Sequence, residues 1–354
     1  MRIAVTGATG LIGAHVVRAA VAAGDDTTAV VRSYSRRDSF DSFDIAKTPI
    51  AVADVLGPMA LLTNAFSGAE VVIHTAATFA FGGDAEALHR VAVQGTENVL
   101  RAAAAAGVRR VVVTSSAVVF GYSSAGEVID DDRGLADTAG QPAYVIAKIE
   151  QDRLALDLAD RLGLELVLPC PTMSIGQTVS ELGPSNALIV TYLTDPTRST
   201  YPGGCNLVAA ADVGEAHVML AKAGAAGAHY LLGSENLLWS QIHALIGVLG
   251  GVGGPHWEIG ANVAKLAARS QTIIGLLSGR ASLSSVEQAN MMGRYYWYDH
   301  GRAAALGYRP RSVVTALIEA ISWLAASPHI PREARTNMHL AEAVHRFRYD
   351  ELTQ

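Results

Sequence analysis

Two side chains four residues apart could exchange a proton with a substrate. Tyr144 and Lys148 lie in Tyr144-Val145-Ile146-Ala147-Lys148, just inside a helix-like stretch that opens near Pro142. A separation of four puts both on one helical face. A free tyrosine has a pKa of about 10, too high for efficient proton exchange at neutral pH. A neighbouring ammonium stabilises the phenolate and lowers that value. The pair predicts Tyr144 as a proton donor with Lys148 tuning it. Tyr122 lacks the companion, because position 126 is Gly126.

A second constellation opens the chain. Thr6-Gly7-Ala8-Thr9-Gly10-Leu11-Ile12-Gly13 sits between a β-branched run, Ile3–Thr6, and an amphipathic stretch, Leu11–Ala23. Glycines allow a tight turn and let the backbone approach a pyrophosphate, which rests on the free N–H groups of the helix N-terminus. The spacing is G-x-x-G-x-x-G, with Gly13 on the helix permitting close packing on the sheet. Gly7, Thr9, Gly10, Leu11, Ile12 and Gly13 are thus candidates for holding a dinucleotide. About twenty residues beyond such a loop an NAD enzyme carries Asp or Glu for the ribose hydroxyls. Here the strand ends Val30-Val31-Arg32-Ser33, followed by Arg36 and Arg37. A carboxylate would repel a 2′-phosphate, whereas arginine pairs with it through charge-assisted hydrogen bonds. NADP(H) is expected over NAD(H), the alternative being a solvated basic loop. Asp54 is placed either to accept from the adenine amino group or to cap a helix.

These groups need a scaffold, and the first half of the chain supplies its pattern. Short apolar runs (Ile3–Thr6, Thr27–Val31, Ile50–Val52, Val71–His74, Val111–Ser115, Leu164–Leu168) alternate with helix-like segments near Leu11–Ala23, Met59–Ala65, Ala85–Ala106 and Pro142–Leu162. Strands alternating with helices imply βαβ units, and runs apolar throughout suit strands buried on both faces. The expected fold class is α/β, a Rossmann-type doubly wound parallel sheet with a smaller C-terminal substrate-binding part. Residues 1–170 would form the dinucleotide-binding domain, with 205–235 returning to it through a helix at Asp212–Ala223 and a strand at His229–Leu232. Residues 171–204 and 236–330, including Gln241–Leu249 and Val313–Ala326, would cover the substrate. The end, 331–354, reads as an amphipathic helix over Arg332–Tyr349 with Met338, Leu340, Ala343 and Phe347 on its apolar side.

Composition narrows the function classes. Half of the 354 residues are apolar and 17% are charged, enough for a large core. A formal charge of −6 gives no support for nucleic acid as a partner, since phosphate binding needs a basic surface. The two cysteines, Cys170 and Cys205, lack metal-ligand spacing and read as reduced thiols in a cytoplasmic protein. No secretory signal pattern opens the chain. No apolar run approaches the ~18 residues of a membrane span, because Val313–Ala326 is too short and holds Glu319.

With the phosphate loop, Tyr144–Lys148 and Thr114-Ser115-Ser116 in order, the chain resembles the extended short-chain dehydrogenase/reductase family, and within it dihydroflavonol-reductase-like proteins. Further matching segments are His74-Thr75-Ala76-Ala77, Gly95-Thr96-Glu97-Asn98-Val99-Leu100, Leu168-Pro169-Cys170-Pro171-Thr172-Met173-Ser174-Ile175-Gly176, Tyr230-Leu231-Leu232-Gly233-Ser234-Glu235-Asn236 and Leu306-Gly307-Tyr308-Arg309-Pro310. The resemblance implies that Ser116 hydrogen-bonds the substrate carbonyl, Tyr144 donates the proton, and Lys148 holds the nicotinamide ribose. Ser115 is the competing serine, but Ser116-Ala117-Val118-Val119-Phe120-Gly121 aligns better on Ser116. The resemblance also implies cofactor contacts from Val55, Thr75, Ala76, Ala77 and Thr114, with the carboxamide near Pro171, Thr172 and Met173. It further implies dimers formed through the two long helices.

Two departures from the family pattern matter. Ala92 stands where many relatives carry an Asn that holds a water in the proton relay. Ala117 and Val118 follow Ser116 in place of the acidic pair of sugar-nucleotide dehydratases, which disfavours a dehydratase. Phe79, Phe81, Phe120 and Met173 follow strand ends and would line an apolar substrate pocket, or simply fill the core. The expected reaction is therefore NADPH-dependent reduction of a fairly apolar ketone or aldehyde. The alternatives are a sugar-nucleotide epimerase with tightly bound NAD and a non-catalytic dinucleotide sensor, against which the intact Ser116, Tyr144 and Lys148 argue.

Overall fold

The computed structural model describes residues 1–33, 40, 43, 45–77, 84–179, 182–260 and 292–353. In chain order its strands are β1 (Arg2–Thr6), β2 (Asp26–Val31), β3 (Ile50–Val52), β4 (Val71–His74), β5 (Arg110–Val113), β6 (Glu165–Pro171) and β7 (Met173–Ile175). They continue with β8 (Ser199–Thr200), β9 (Gly204–Ala209), β10 (His229–Leu232), β11 (Glu235–Leu238), β12 (Trp257–Glu258) and β13 (Tyr295–Tyr296). Seven of them form one sheet in the order β10-β6-β5-β4-β1-β2-β3. Every neighbouring pair in it is parallel.

Successive side chains of a strand point to opposite faces, and this sorts the core into two layers. Ile3 and Val5 of β1, Val71 and Ile73 of β4, and Val112 of β5 pack on one side. There they meet Ala14, Val16 and Val17 of α1 (Leu11–Ala22) and Val213, Ala216 and Leu220 of α6 (Ala210–Ala223). Ala4, Val72, Val111 and Val113 face the other way. They meet α2 (Met59–Ala65) through Leu62, α3 (Ala85–Ala105) through Val99 and Leu100, and α4 (Ala143–Leu162) through Ala155 and Leu158. Helices on both faces of a parallel sheet are the doubly wound arrangement.

Most expected boundaries agree to one or two residues, and β6 is the exception, running on to Pro171. Pro169 and Pro171 pair with Tyr230 and Leu232 of β10, and the Pro169 carbonyl accepts from the Ser115 N–H. Proline lacks a donor but keeps its acceptor, so the strand continues. The C-terminal segment also departs from expectation. It forms two helices, Arg332–Thr336 and Glu342–Thr353, because the intervening chain docks on α7 (Trp239–Gly250), where Leu249 O accepts from Ala341 N. Gly251, at φ +66°, allows the His339 carbonyl to approach where a Cβ would lie 1.8 Å from its oxygen. Val344, absent from the expected apolar face, is fully buried, while Ala343 is exposed.

A smaller sheet is built around β9, with β11 antiparallel to it and β7 and β13 parallel along its other edge; β8 and β12 pair separately. Asn206 of β9 is wholly buried and ties this sheet to the large one. Its Oδ1 accepts from Thr172 Oγ1 (2.8 Å) and Ser234 N (3.0 Å), and its Nδ2 donates to Asn236 Oδ1 (2.7 Å). Cys170 and Cys205 are free and buried. Among the described residues no helix is long and apolar enough to cross a membrane.

On the first face α6 approaches α1 at Gly214, where a Cβ would lie 2.6 Å from the backbone carbon and oxygen of His15. Overpacking a close contact costs about 1–3 kcal/mol. Gly214→Ala is expected to lower unfolding stability by that amount in urea titrations, against no change if the helices can separate freely.

Candidate active site

The C-terminal ends of β1, β4 and β5 and the N-terminus of α4 converge on one place. At β1 the turn is drawn tight by glycine. Gly7 is at φ +68°, and a Cβ there would lie 2.6 Å from Ala76 N. At Gly13 it would lie 2.1 Å from Gly7 O and 2.6 Å from Thr75 Oγ1. Thr75 Oγ1 donates to Thr6 O (2.7 Å), and His74 Nδ1 meets Thr6 Oγ1 (2.7 Å). The loop is thereby clamped between α1 and the residues after β4. Gly10 caps α1 with no side-chain hydrogen bond, and the first turn holds no acidic residue. The orphan N–H groups of this turn, Leu11, Ile12 and Gly13, together with the glycine cradle, fit a pyrophosphate; Thr9 is half-buried beside them.

The other expected cofactor residues fall as follows. Arg32 is exposed just past β2, whereas Arg36 and Arg37 lie outside the described residues, as do Phe79 and Phe81. Asp54 caps no helix, since α2 begins after Pro58; its Oδ1 instead accepts from Leu56 N (2.9 Å) in a turn. Val55 is buried, its carbonyl accepting from Asn98 Nδ2 (2.9 Å) and its methyl closely approached at Gly95. Ala76 is half-buried and Ala77 exposed. Pro171 is buried, Thr172 is engaged with Asn206, and Met173 is half-buried on β7.

Around Tyr144 the geometry is closed. Tyr144 is 8% exposed and packs with Leu88, Ala92, Ala147 and the half-buried Val118. Its hydroxyl shares a hydrogen bond with that of Ser116. Ser115 is committed elsewhere, its Oγ donating to Asp152 Oδ2 (2.5 Å), so the two adjacent serines are told apart by their partners. Lys148, 3% exposed, donates from Nζ to Thr114 O (2.9 Å) and Gln151 Oε1 (3.0 Å). Gln151 Nε2 donates to the same carbonyl (3.2 Å). The Thr114 hydroxyl meets His217 Nε2 (2.9 Å) from α6.

Two expectations are corrected here. The Tyr144 pKa is raised rather than lowered, with Lys148 Nζ engaged by Thr114 and Gln151. Burial pushes the phenol up to about 12, with Ser116 pulling it back and the Asp152 charge adding to the rise. Burial also brings Lys148 down to about 8, opposed by Asp152 and Cys170. Phe120 is no pocket wall: it is 2% exposed in the core, edge-on to His229 at 5.6 Å between ring centroids. Sequence reasoning missed Gln151, Asp152, His217 and His229. Asp152 and Gln151 left a signal in their spacing, four and three residues after Lys148 on the same helix, whereas His217 and His229 left none.

The chain is similar to known proteins in sequence and in fold. Residues 3–233 match the model of the NAD dependent epimerase/dehydratase family. A Synechocystis sp. protein provisionally named a dihydroflavonol 4-reductase is 28% identical over 325 residues, 90% of this chain and 93% of that relative. Cinnamoyl-CoA reductase 1 of Oryza sativa subsp. japonica is 33% identical over 244 residues, 65% of this chain and 70% of its own. Among solved structures, a nucleoside-diphosphate-sugar epimerase from Pseudomonas aeruginosa superposes with TM-score 0.75 at 25% identity, covering 93% of this chain and 99% of that one.

The histidines that support the strand ends carry a pH consequence. His74, between Thr6 and Thr96, is held down to about 3 by burial and by Lys148, and His217 to about 4 by burial. An unfolded histidine binds its proton near pH 6.5, so as pH falls from 6.5 towards 4 the unfolded chain takes up protons that the folded chain refuses. Stability falls by up to about 1.4 kcal/mol per pH unit per histidine. Denaturant titrations at pH 7, 6 and 5 are expected to show this decline, and to show a shallower one for His217→Gln. Equal slopes in both proteins would contradict it.

Proposed function

The chain belongs to the NAD dependent epimerase/dehydratase family, and from that premise we propose that it is an NADPH-dependent reductase of a fairly apolar ketone or aldehyde. The observation that carries this reading is the buried Ser116–Tyr144 hydroxyl pair, bordered by Leu88, Ala92, Ala147 and Val118. A phenol whose pKa stands at about 12 keeps its proton at neutral pH. It is thus in the protonated form that a donor to a carbonyl oxygen requires, as an unperturbed tyrosine also is.

Each residue then has a task. Ser116 hydrogen-bonds the carbonyl oxygen and Tyr144 delivers the proton as negative charge develops there. Lys148, fixed to the Thr114 carbonyl, presents positive charge beside the cofactor ribose. The Gly7–Gly13 turn and the start of α1 hold the pyrophosphate, and Arg32 meets the 2′-phosphate. The bound nicotinamide supplies the hydride. Apolar Val118 and half-buried Met173 favour an apolar substrate, in keeping with the two reductase-named relatives.

A sugar-nucleotide epimerase is the competing reading, favoured by the Pseudomonas structure. Net NADPH consumption with a panel of aryl and alkyl carbonyls supports the reductase. No consumption, together with epimerisation of a nucleotide sugar on retained NAD, would overturn it. Tyr144→Phe is expected to cut turnover by at least ~100-fold, the usual size of general acid catalysis; unchanged turnover refutes the assigned donor. Arg32→Ala is expected to weaken NADPH binding about tenfold, a loss of about 1.4 kcal/mol, and to leave NADH binding unaltered in parallel titrations.

A further inference from the structure

We propose that Asp152 is a positioning residue of this site: its carboxylate, held by Ser115 and His229 behind Lys148, is the countercharge that keeps the buried ammonium protonated and in place. The proposal rests on the reading of Lys148 as the partner of Tyr144 in catalysis.

Tyr144, Lys148 and Asp152 follow one another at single-turn intervals on α4, and all three are buried. Asp152 has no exposed surface. Its Oδ2 accepts from Ser115 Oγ at 2.5 Å and from His229 Nε2 at 3.1 Å, while its Oδ1 has no hydrogen-bond partner among the described residues. A carboxylate this deep persists only against donors or opposite charge. The proton transfer assigned to Ser116, Tyr144 and Lys148 does not itself require it.

The groups facing the pair from each neighbouring element leave little else to balance it. Cys170 of β6 is pushed well above the ordinary thiol value and stays neutral. His74 of β4 is held down to about 3 and is neutral. Asp131 Oδ1 accepts from the Leu231 N–H. Arg302 directs its guanidinium to Asp132 and the His229 carbonyl. From α4 itself come only Tyr144, a neutral phenol, and Gln151. Lys148 and Asp152 are therefore buried opposite charges one helical turn apart on α4, while the group within ion-pair distance of the carboxylate is His229 of edge strand β10, at 3.1 Å. Burial disfavours the ammonium and Asp152 opposes that effect. Removing the carboxylate should thus lower the pH at which Lys148 loses its proton.

The sequence holds only four lysines, Lys47, Lys148, Lys222 and Lys265, so protein labelled at lysine 13Cε can be titrated by NMR without cofactor, Lys148 being assigned with Lys148→Arg. The expected midpoint is near 8, falling by about one pH unit in Asp152→Asn and returning in Asp152→Glu. The alkaline limb of NADPH-dependent turnover should move down by the same amount, whereas a purely structural role would depress turnover at every pH without moving the limb. An unchanged midpoint in Asp152→Asn overturns the proposal. Should that variant not fold, the wild-type titration decides: a midpoint at about 5–6, where buried lysines without countercharge titrate, overturns it, and one near 8 supports it. Because the titration needs no substrate, a failure of the reductase reading would appear in the turnover assay alone.

Discussion

An ammonium buried to 3% exposure must be solvated by the protein, and Lys148 places that demand on the whole centre of the fold. Its donors go to the Thr114 carbonyl and to Gln151, which turns back to the same carbonyl. The start of α4 is thereby pinned to the end of β5, and Tyr144, one turn earlier, comes within reach of Ser116. The Thr114 hydroxyl is meanwhile held by His217 of α6, on the opposite face of the sheet. Both helical layers thus bear on one residue, and Tyr144 inherits its position from that junction.

The phosphate loop meets a different constraint, steric rather than electrostatic. Gly7 and Gly13 have no room for a Cβ, because the backbone of Thr75–Ala76 and the Gly7 carbonyl occupy it. The hydroxyl of Thr75 and the ring of His74 fix the ends of β1 and β4 at the height this contact requires. Thr96, on α3, takes the other nitrogen of His74, while Asn98 and Gly95 fasten the same helix to the turn after β3. The segment Gly95–Asn98, recognisable in the sequence only as a family likeness, acts as a clamp between β4 and the turn after β3.

What was legible in the sequence follows from locality. β4, β10 and α2 were readable to the residue because a short apolar run between turn residues has few other conformations. Tyr144 and Lys148 were readable because a helix makes neighbours of residues four apart. His229 against Asp152, Thr114 against His217 and Thr172 against Asn206 were not, since each joins residues from distant parts of the chain that only the folded sheet brings together. Phe120 was misplaced for a related reason: a strand's C-terminal end marks a ligand-binding edge, but the following 3-10 turn, Ala117–Phe120, rotates that ring into the core. Arg332–Tyr349 looked like one helix because periodicity cannot register the docking of Ala341 on α7.

The tuning of Tyr144 was misjudged because the argument from spacing treats both groups as solvated, and neither is. Once buried, the phenol and the ammonium are each pushed towards neutrality, the first to about 12 and the second to about 8. The site as folded therefore holds a protonated tyrosine rather than a phenolate. Leu88, Ala92 and Ala147 present only apolar surface to the ring, and Ser116 supplies the polar contact at its hydroxyl. With alanine at position 92 no amide stands on that side of the ring. An acceptor oxygen placed beside Ser116 would meet the Tyr144 O–H directly, and the described residues that pack with the ring in its hydrophobic cluster are apolar. Burial makes the phenol a weaker acid, so transfer to such an oxygen depends on the negative charge that develops there.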